Sequence, residues 1–264
     1  MQNEKKGIDL FSLSTVPLVL RFNEIVISHA TGFFWKNIDK LFLITNWHVI
    51  SGVDPFTGKN IDQKHGCRPN IIEVLWNSKS VLGNKSPFII NLYDGSDEPV
   101  WLIHPELGRK VDIAAIDVEC PPDSEPYPIN EMPSIDLATY IGMDLFVLGY
   151  PLKITNNGFP IWKRASIASE PQLLNYTDYQ AMLVDTATRE GMSGAPVIQR
   201  YYGAVPLVSG GVQIADKGGA ATKFIGIYSG RIGANDQLAA QLGLVWPSSL
   251  IETIVRTRRL DDLV

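Results

Sequence analysis

A chain of 264 residues can bury a full core, as one domain or as two small ones sharing an interface. Its 45% hydrophobic and 19% charged residues are ordinary for a soluble globular protein. The net charge of −5, with no Lys/Arg cluster beyond Arg256-Thr257-Arg258-Arg259, excludes the basic footprint that nucleic-acid binding needs.

The chain opens with Lys5 and Lys6, and Asp9, Ser12 and Ser14 interrupt the apolar residues after them, so residues 1–14 read as an N-terminal extension. The apolar run Val16–Leu20 is too short for a signal-peptide core or a membrane span, which makes the expected setting cytoplasmic, with no membrane association. Short apolar or alternating runs come next: Pro17–Phe22, Glu24–Ser28, Leu41–Thr45, Ile71–Trp76, Pro87–Tyr93, Pro99–Ile103 and Asp112–Val118. Rich in Val, Ile and aromatic residues and bounded by turn residues, they are predicted strands of one barrel over residues 15–119. Cys120–Pro133 holds five prolines in fourteen positions. Proline cannot donate to a ladder, so residues 120–137 are a predicted linker.

A second set of strands follows over residues 138–247: Asp144–Gly149, Ile161–Ala168, Ala181–Asp185, Pro196–Gln199, Pro206–Ile214 and Lys223–Tyr228. The pairs Gly210-Gly211 and Gly218-Gly219 read as hairpin turns. Residues 248–264 are a predicted helix and tail: Ser248 or Ser249 as cap, Leu250, Ile251, Ile254 and Val255 on the buried face, and arginines at the C-terminal end, where the helix dipole favours them. The order barrel, linker, barrel, helix makes the fold class all-β.

Cys67 and Cys120 are too few for a disulfide framework, and read as two unpaired thiols of a reducing compartment. No metal or cofactor is expected, because no H-E-x-x-H, Cys/His cluster or phosphate-binding Gly-rich loop occurs.

The sharpest local signal is Gly191-Met192-Ser193-Gly194-Ala195-Pro196. Two glycines around a serine let the backbone turn tightly, presenting the hydroxyl outward and the N–H groups of Gly191 and Ser193 toward an oxyanion. A serine needs a base, and all four histidines (His29, His48, His65, His104) precede it. That rules out the order Ser, acid, His of α/β-hydrolases. A subtilisin order would need its acid before His48, where only Asp9 and Asp39 stand, in a chain without the helices of an α/β sheet. His, Asp, Ser remains. His48 closes the β-rich run Leu41–Thr45 and is the candidate base, whereas His29, His65 and His104 read as surface or loop residues. Asp112 opens an apolar strand, where a charge needs a partner, and an imidazole is one. Asp117 has the opposite parity and should face solvent.

Thr45-Asn46-Trp47-His48-Val49, Val111-Asp112-Ile113-Ala114 and the serine block together resemble the three catalytic blocks of the trypsin-like (chymotrypsin-fold) serine peptidases, in the style of the bacterial branch that includes HtrA-type proteases. Leu148-Gly149-Tyr150-Pro151, Phe224–Gly230 and Gly243–Ser248 echo the same family over roughly residues 15–260. The resemblance implies two six-stranded antiparallel β-barrels with the active site in the cleft between them. It implies an oxyanion hole from Gly191 and Ser193. It also implies a substrate-binding wall of Ala187, Thr188 and Glu190 facing Tyr228, Ser229, Gly230 and Arg231, with the Gly243 region opposite. Met192 stands where zymogen-activated digestive enzymes carry an aspartate, so that activation route is not expected. Ala187 at the pocket floor argues against a Lys/Arg preference and for a small or apolar residue before the cut, with Arg231 or Arg189 as the means of drawing an acidic one instead.

The function implied is serine endopeptidase, acting on protein or peptide substrates through a His48-Asp112-Ser193 triad and an acyl-enzyme. The alternative is a protease-fold binding or scaffolding module with an idle or partner-activated site. With no residues for a PDZ-type domain after about 260, regulation would fall to a partner chain or to the cleft.

Overall fold

The computed structural model describes residues 7–64, 66–176, 180–214, 219–231 and 241–262, without the side chains of Asn175, Tyr176 and Arg231. A short helix α1 (Leu10–Ser14) leads into strands β1 (Thr15–Phe22), β2 (Ile25–Asn37) and β3 (Lys40–Thr45). Helix α2 (Trp47–Ser51) follows, then β4 (Ile71–Asn77), β5 (Lys85–Asn91), β6 (Trp101–Ile103) and β7 (Ala114–Val118). Between Val118 and Asp144 there is no strand longer than an isolated bridge, as the prolines require. The second half has β8 (Asp144–Gly149), β9 (Ile161–Ile167), β10 (Met182–Asp185), β11 (Pro196–Tyr201), β12 (Ala204–Pro206), β13 (Val212–Ile214), β14 (Ala221–Arg231) and β15 (Leu242–Pro247). Helix α3 (Ser248–Thr257) and the short β16 (Arg259–Leu260) close the described chain.

The all-β reading holds, with a barrel in the second half and a closing helix. Strands β10-β15-β14-β11-β8-β9 form a closed six-stranded barrel. The first half is an eight-stranded sheet in the order β16-β6-β7-β3-β2-β1-β4-β5. Its strands β1–β7 answer to the seven predicted runs, Pro87–Tyr93 being β5 at one edge, and β16, from the segment read as helix and tail, is added at the other edge. Alternation sets the faces: Leu18 and Leu20 of β1 turn inward beside Val74 and Ile72 of β4, while Val19 and Glu73 turn outward. The run 206–214 is a hairpin and not a single strand, and its turn is made by Gly210 and Gly211 at positive φ. Gly218 lies outside the described residues.

Each half has its own core, and a third core joins them. Phe33, Phe42 and Ile44 of the first half meet Leu148, Ile198, Ile227 and Trp246 of the second, with Ile251, Ile254 and Val255 of α3 and Phe11 of α1 in the same cluster. Helix α3 buries the face expected of it, but its cap is Pro247, and no serine hydroxyl caps it. Of the arginines assigned to its end, only Arg256 lies in the last turn. Arg258 takes the left-handed C-cap and Arg259 belongs to β16.

Candidate active site

His48 sits in the first turn of α2, directly after β3, so a strand buried in the sheet fixes where the helix begins. Asp112 lies two residues before β7, which pairs with β3 from Thr45↔Ala114 onward. That pairing brings the two together. His48 Nδ1 is 2.6 Å from Asp112 Oδ2, and the His48 backbone N–H donates to Oδ1 at 2.8 Å. Because a carboxylate only accepts here, Nδ1 carries the proton and Nε2 is left as the basic nitrogen. Asp112 is 1% exposed. The Ser229 hydroxyl donates to its Oδ2, and Asn46 Nδ2 donates to its backbone oxygen at 2.7 Å. Burial, the largest influence on the His48 ring, favours its neutral form, but the charge and hydrogen bond of Asp112, helped by Asp54, raise its pKa above 6.5. Asp117 does face outward, where it pairs with Lys40 and Arg258.

Ser193 is on the turn before β11. Gly191 (φ +93°) and Gly194 (φ +83°) are left-handed, and a Cβ on either would overlap a backbone oxygen, Tyr150 O or Thr31 O. The turn is held by Ala195 N–H to Met192 O (3.0 Å) and Gly194 N–H to Tyr228 O (3.0 Å). Among the described residues the N–H groups of Gly191 and Ser193 donate to no protein acceptor. Ser193 and His48 line one pocket of about 230 Å³ without a hydrogen bond between them among the described residues.

A family model for the trypsin-like peptidase domain matches residues 30–205, two thirds of the chain, and spans His48, Asp112 and Ser193. The chain belongs to the trypsin-like peptidase family, a family of serine endopeptidases. Among solved structures the chain is similar in fold to the serine endoprotease from Yersinia pestis, with a TM-score of 0.52 at 14% identity over 94% of this chain and 65% of that one. It therefore spans less than two thirds of that protein's length. It also matches the active form of the Rv3671c protease from M. tuberculosis (TM-score 0.49, 17% identity, 96% of this chain and 84% of that one). A third match is an HtrA-type protease, an AlgW variant with a tripeptide (TM-score 0.49, 14% identity, 93% and 60%). No curated protein sequence matches the chain.

The other predicted site residues fall in four places. Thr188 (2% exposed) and Tyr228 (1% exposed) hydrogen-bond through their hydroxyls, and a Cβ on Gly243 would overlap the Tyr228 ring, so the expected pocket walls touch through that ring. Ala187 is half-buried beside Thr188, and Gly230 passes Ser193, with the position a Cβ would take 3.8 Å from Ser193 Oγ. Two residues sit away from the specificity wall. Glu190 lines the pocket of His48 and Ser193, and the Ser229 side chain turns to Asp112. The Arg231 side chain lies outside the described residues, as does His65. Met192 is fully buried in the second barrel's core.

The other two described histidines are placed more closely than a surface-or-loop reading says. His29, partly exposed, belongs to β2 and lines the same pocket as His48, and His104 stands at a turn but is buried, its Nδ1 accepting from Glu106 N–H and Leu107 N–H. Thr31 was not legible as a site residue at all. Its hydroxyl donates to Gly191 O at 2.7 Å and its N–H to Ser193 O at 2.9 Å, so β2 of the first half grips the serine turn of the second. Its only sequence signal is a polar residue between Ala30 and the run Gly32–Trp35.

Proposed function

We propose that the peptidase cleaves peptide bonds through an acyl-enzyme, with Ser193 as nucleophile, His48 as general base and then acid, and Asp112 orienting and stabilising the His48 ring. The observation that carries this reading is the two-point grip of buried Asp112 on His48, in a pocket that Ser193 shares. His48 Nε2 takes the Ser193 proton as Oγ attacks the substrate carbonyl, and the Gly191 and Ser193 N–H groups receive the oxyanion. The imidazolium is stabilised by Asp112 and protonates the leaving amine. Water then enters by the same base and releases the acid.

The residue before the cut is small in this reading, because the Tyr228 ring is tied to Thr188 on one predicted wall and lies against Gly243 on the other. The test is fluorophosphonate labelling together with cleavage of a peptide library. Labelling and cleavage should both vanish in Ser193→Ala, and Asp112→Asn should lower turnover by roughly 10⁴-fold. Tyr228→Val should admit larger residues before the cut. A wild-type chain that neither labels nor cleaves would establish instead an idle, scaffolding use of the fold.

A further inference from the structure

We propose that Asp261 is a positioning residue, which from behind the site ties together the two segments that carry His48 and Asp112. The inference rests on the triad reading above.

The chain leaves α3 through the left-handed Arg258, and β16 then pairs with β6 (Arg259↔Ile103, Leu260↔Leu102). The ladder continues with Asp261 N–H to Trp101 O at 3.1 Å, and the Asp261 side chain enters the interior, leaving the residue 5% exposed. Its Oδ2 accepts from Trp47 Nε1 at 2.8 Å and from Trp101 Nε1 at 3.0 Å. Its Oδ1 accepts from Arg109 Nε at 2.9 Å and from Asp262 N–H at 3.0 Å. Trp47 is the residue before His48, and Arg109 is three before Asp112, with its guanidinium 5.5 Å over the Trp47 ring. A single carboxylate is thus bonded to a neighbour of each member of the His–Asp pair.

A buried carboxylate is costly unless fully paired, and this one is fully paired. What it holds has little stability of its own. Helix α2 is five residues long, far below the length at which a helix persists unaided. Its orientation depends on tertiary ties: His48 N–H to Asp112, Asn46 to Asp112, and Trp47 to Asp261. The Asp261 tie acts from the opposite side of α2. Trp47 and Asp261 line a separate cavity with Asp54, Arg68 and Tyr93, whereas His48 lines the Ser193 pocket. Asp261 therefore touches no reacting atom and acts through position alone, to which proton transfer is sensitive, since a displacement of about 1 Å can cost 10²-fold in rate.

Trp47→Phe and Trp101→Phe, made in the full chain, each remove one indole donor to the same oxygen and keep an aromatic ring. Trp47→Phe should lower kcat about tenfold with KM within twofold, and move the acid limb of kcat/KM to lower pH as the His48–Asp112 contact loosens. Trp101→Phe should leave both within twofold. Asp261→Asn, which puts a donor where donors converge, should exceed Trp47→Phe. If it does not fold, the tryptophan pair still decides. The proposal is overturned if neither tryptophan variant moves the acid limb, or if both move it equally. Failure of the triad reading is seen separately, as a wild-type chain that neither labels nor cleaves, and it removes both.

Discussion

His48 is held between opposing influences: burial favours the neutral ring, and the Asp112 carboxylate favours the charged one and prevails. The base must be neutral to act, so the acid limb of kcat/KM should have its midpoint above 6.5, measured on a peptide substrate between pH 5 and 9. The same shift acts on stability in the other sense. A pKa raised on folding means that the pair's stabilisation is complete below the unfolded value, near 6.5, and is lost as pH rises through the folded value. Thermal unfolding of Ser193→Ala should register that contribution fading across the range where activity appears. Asp112 was legible because an aspartate at the head of an apolar strand needs a partner, and strand parity separated it from Asp117. The bond from Ser229 to that carboxylate was not legible, since nothing local tells which way a serine on β14 points.

The serine turn is an element whose shape is dictated by the strand lying against it. A glycine pair around a serine suggests a tight turn, but only the approach of β2 explains why Gly194 cannot be anything else, because a Cβ there would overlap Thr31 O and the Thr45 hydroxyl. Gly194→Ala adds this clash to a left-handed strain of about 1–2 kcal/mol. The turn should relieve both by moving, with kcat/KM falling by roughly 10²–10³-fold as the oxyanion donors shift, while far-ultraviolet circular dichroism stays that of the native barrel. Thr31, which makes the contact, escaped the sequence because its partner is 160 residues away. The extent of β2 escaped for a related reason. Its start, Ile25–Ser28, falls in a short β-branched run that reads as a strand, but its continuation through Phe33, Phe34 and Trp35 is buried on both faces and has none of the alternation that marks a strand.

At the scale of the molecule, the two halves are joined by a core that belongs to neither. Ile251 of α3 is fully buried in it, beside strands of both units. Ile251→Ala should cost about 2–5 kcal/mol. Because the core is shared, urea denaturation followed by tryptophan fluorescence and by loss of fluorophosphonate labelling should give coincident midpoints in the wild type, both lowered together in the variant. Two separated midpoints would mean that the halves hold independently. The order of elements, the all-β class, the proline-rich connection, the closing helix and the choice of His48, Asp112 and Ser193 as candidates follow from the sequence alone, since composition, alternation and chain order are local properties of the string. Long-range contact alone decided the rest: the grip of Thr31 on the serine turn, the contact of Tyr228 with Thr188 and Gly243, and the reach of Asp261 behind α2. Each of these joins residues tens to hundreds of positions apart, and no local pattern encodes such a pairing.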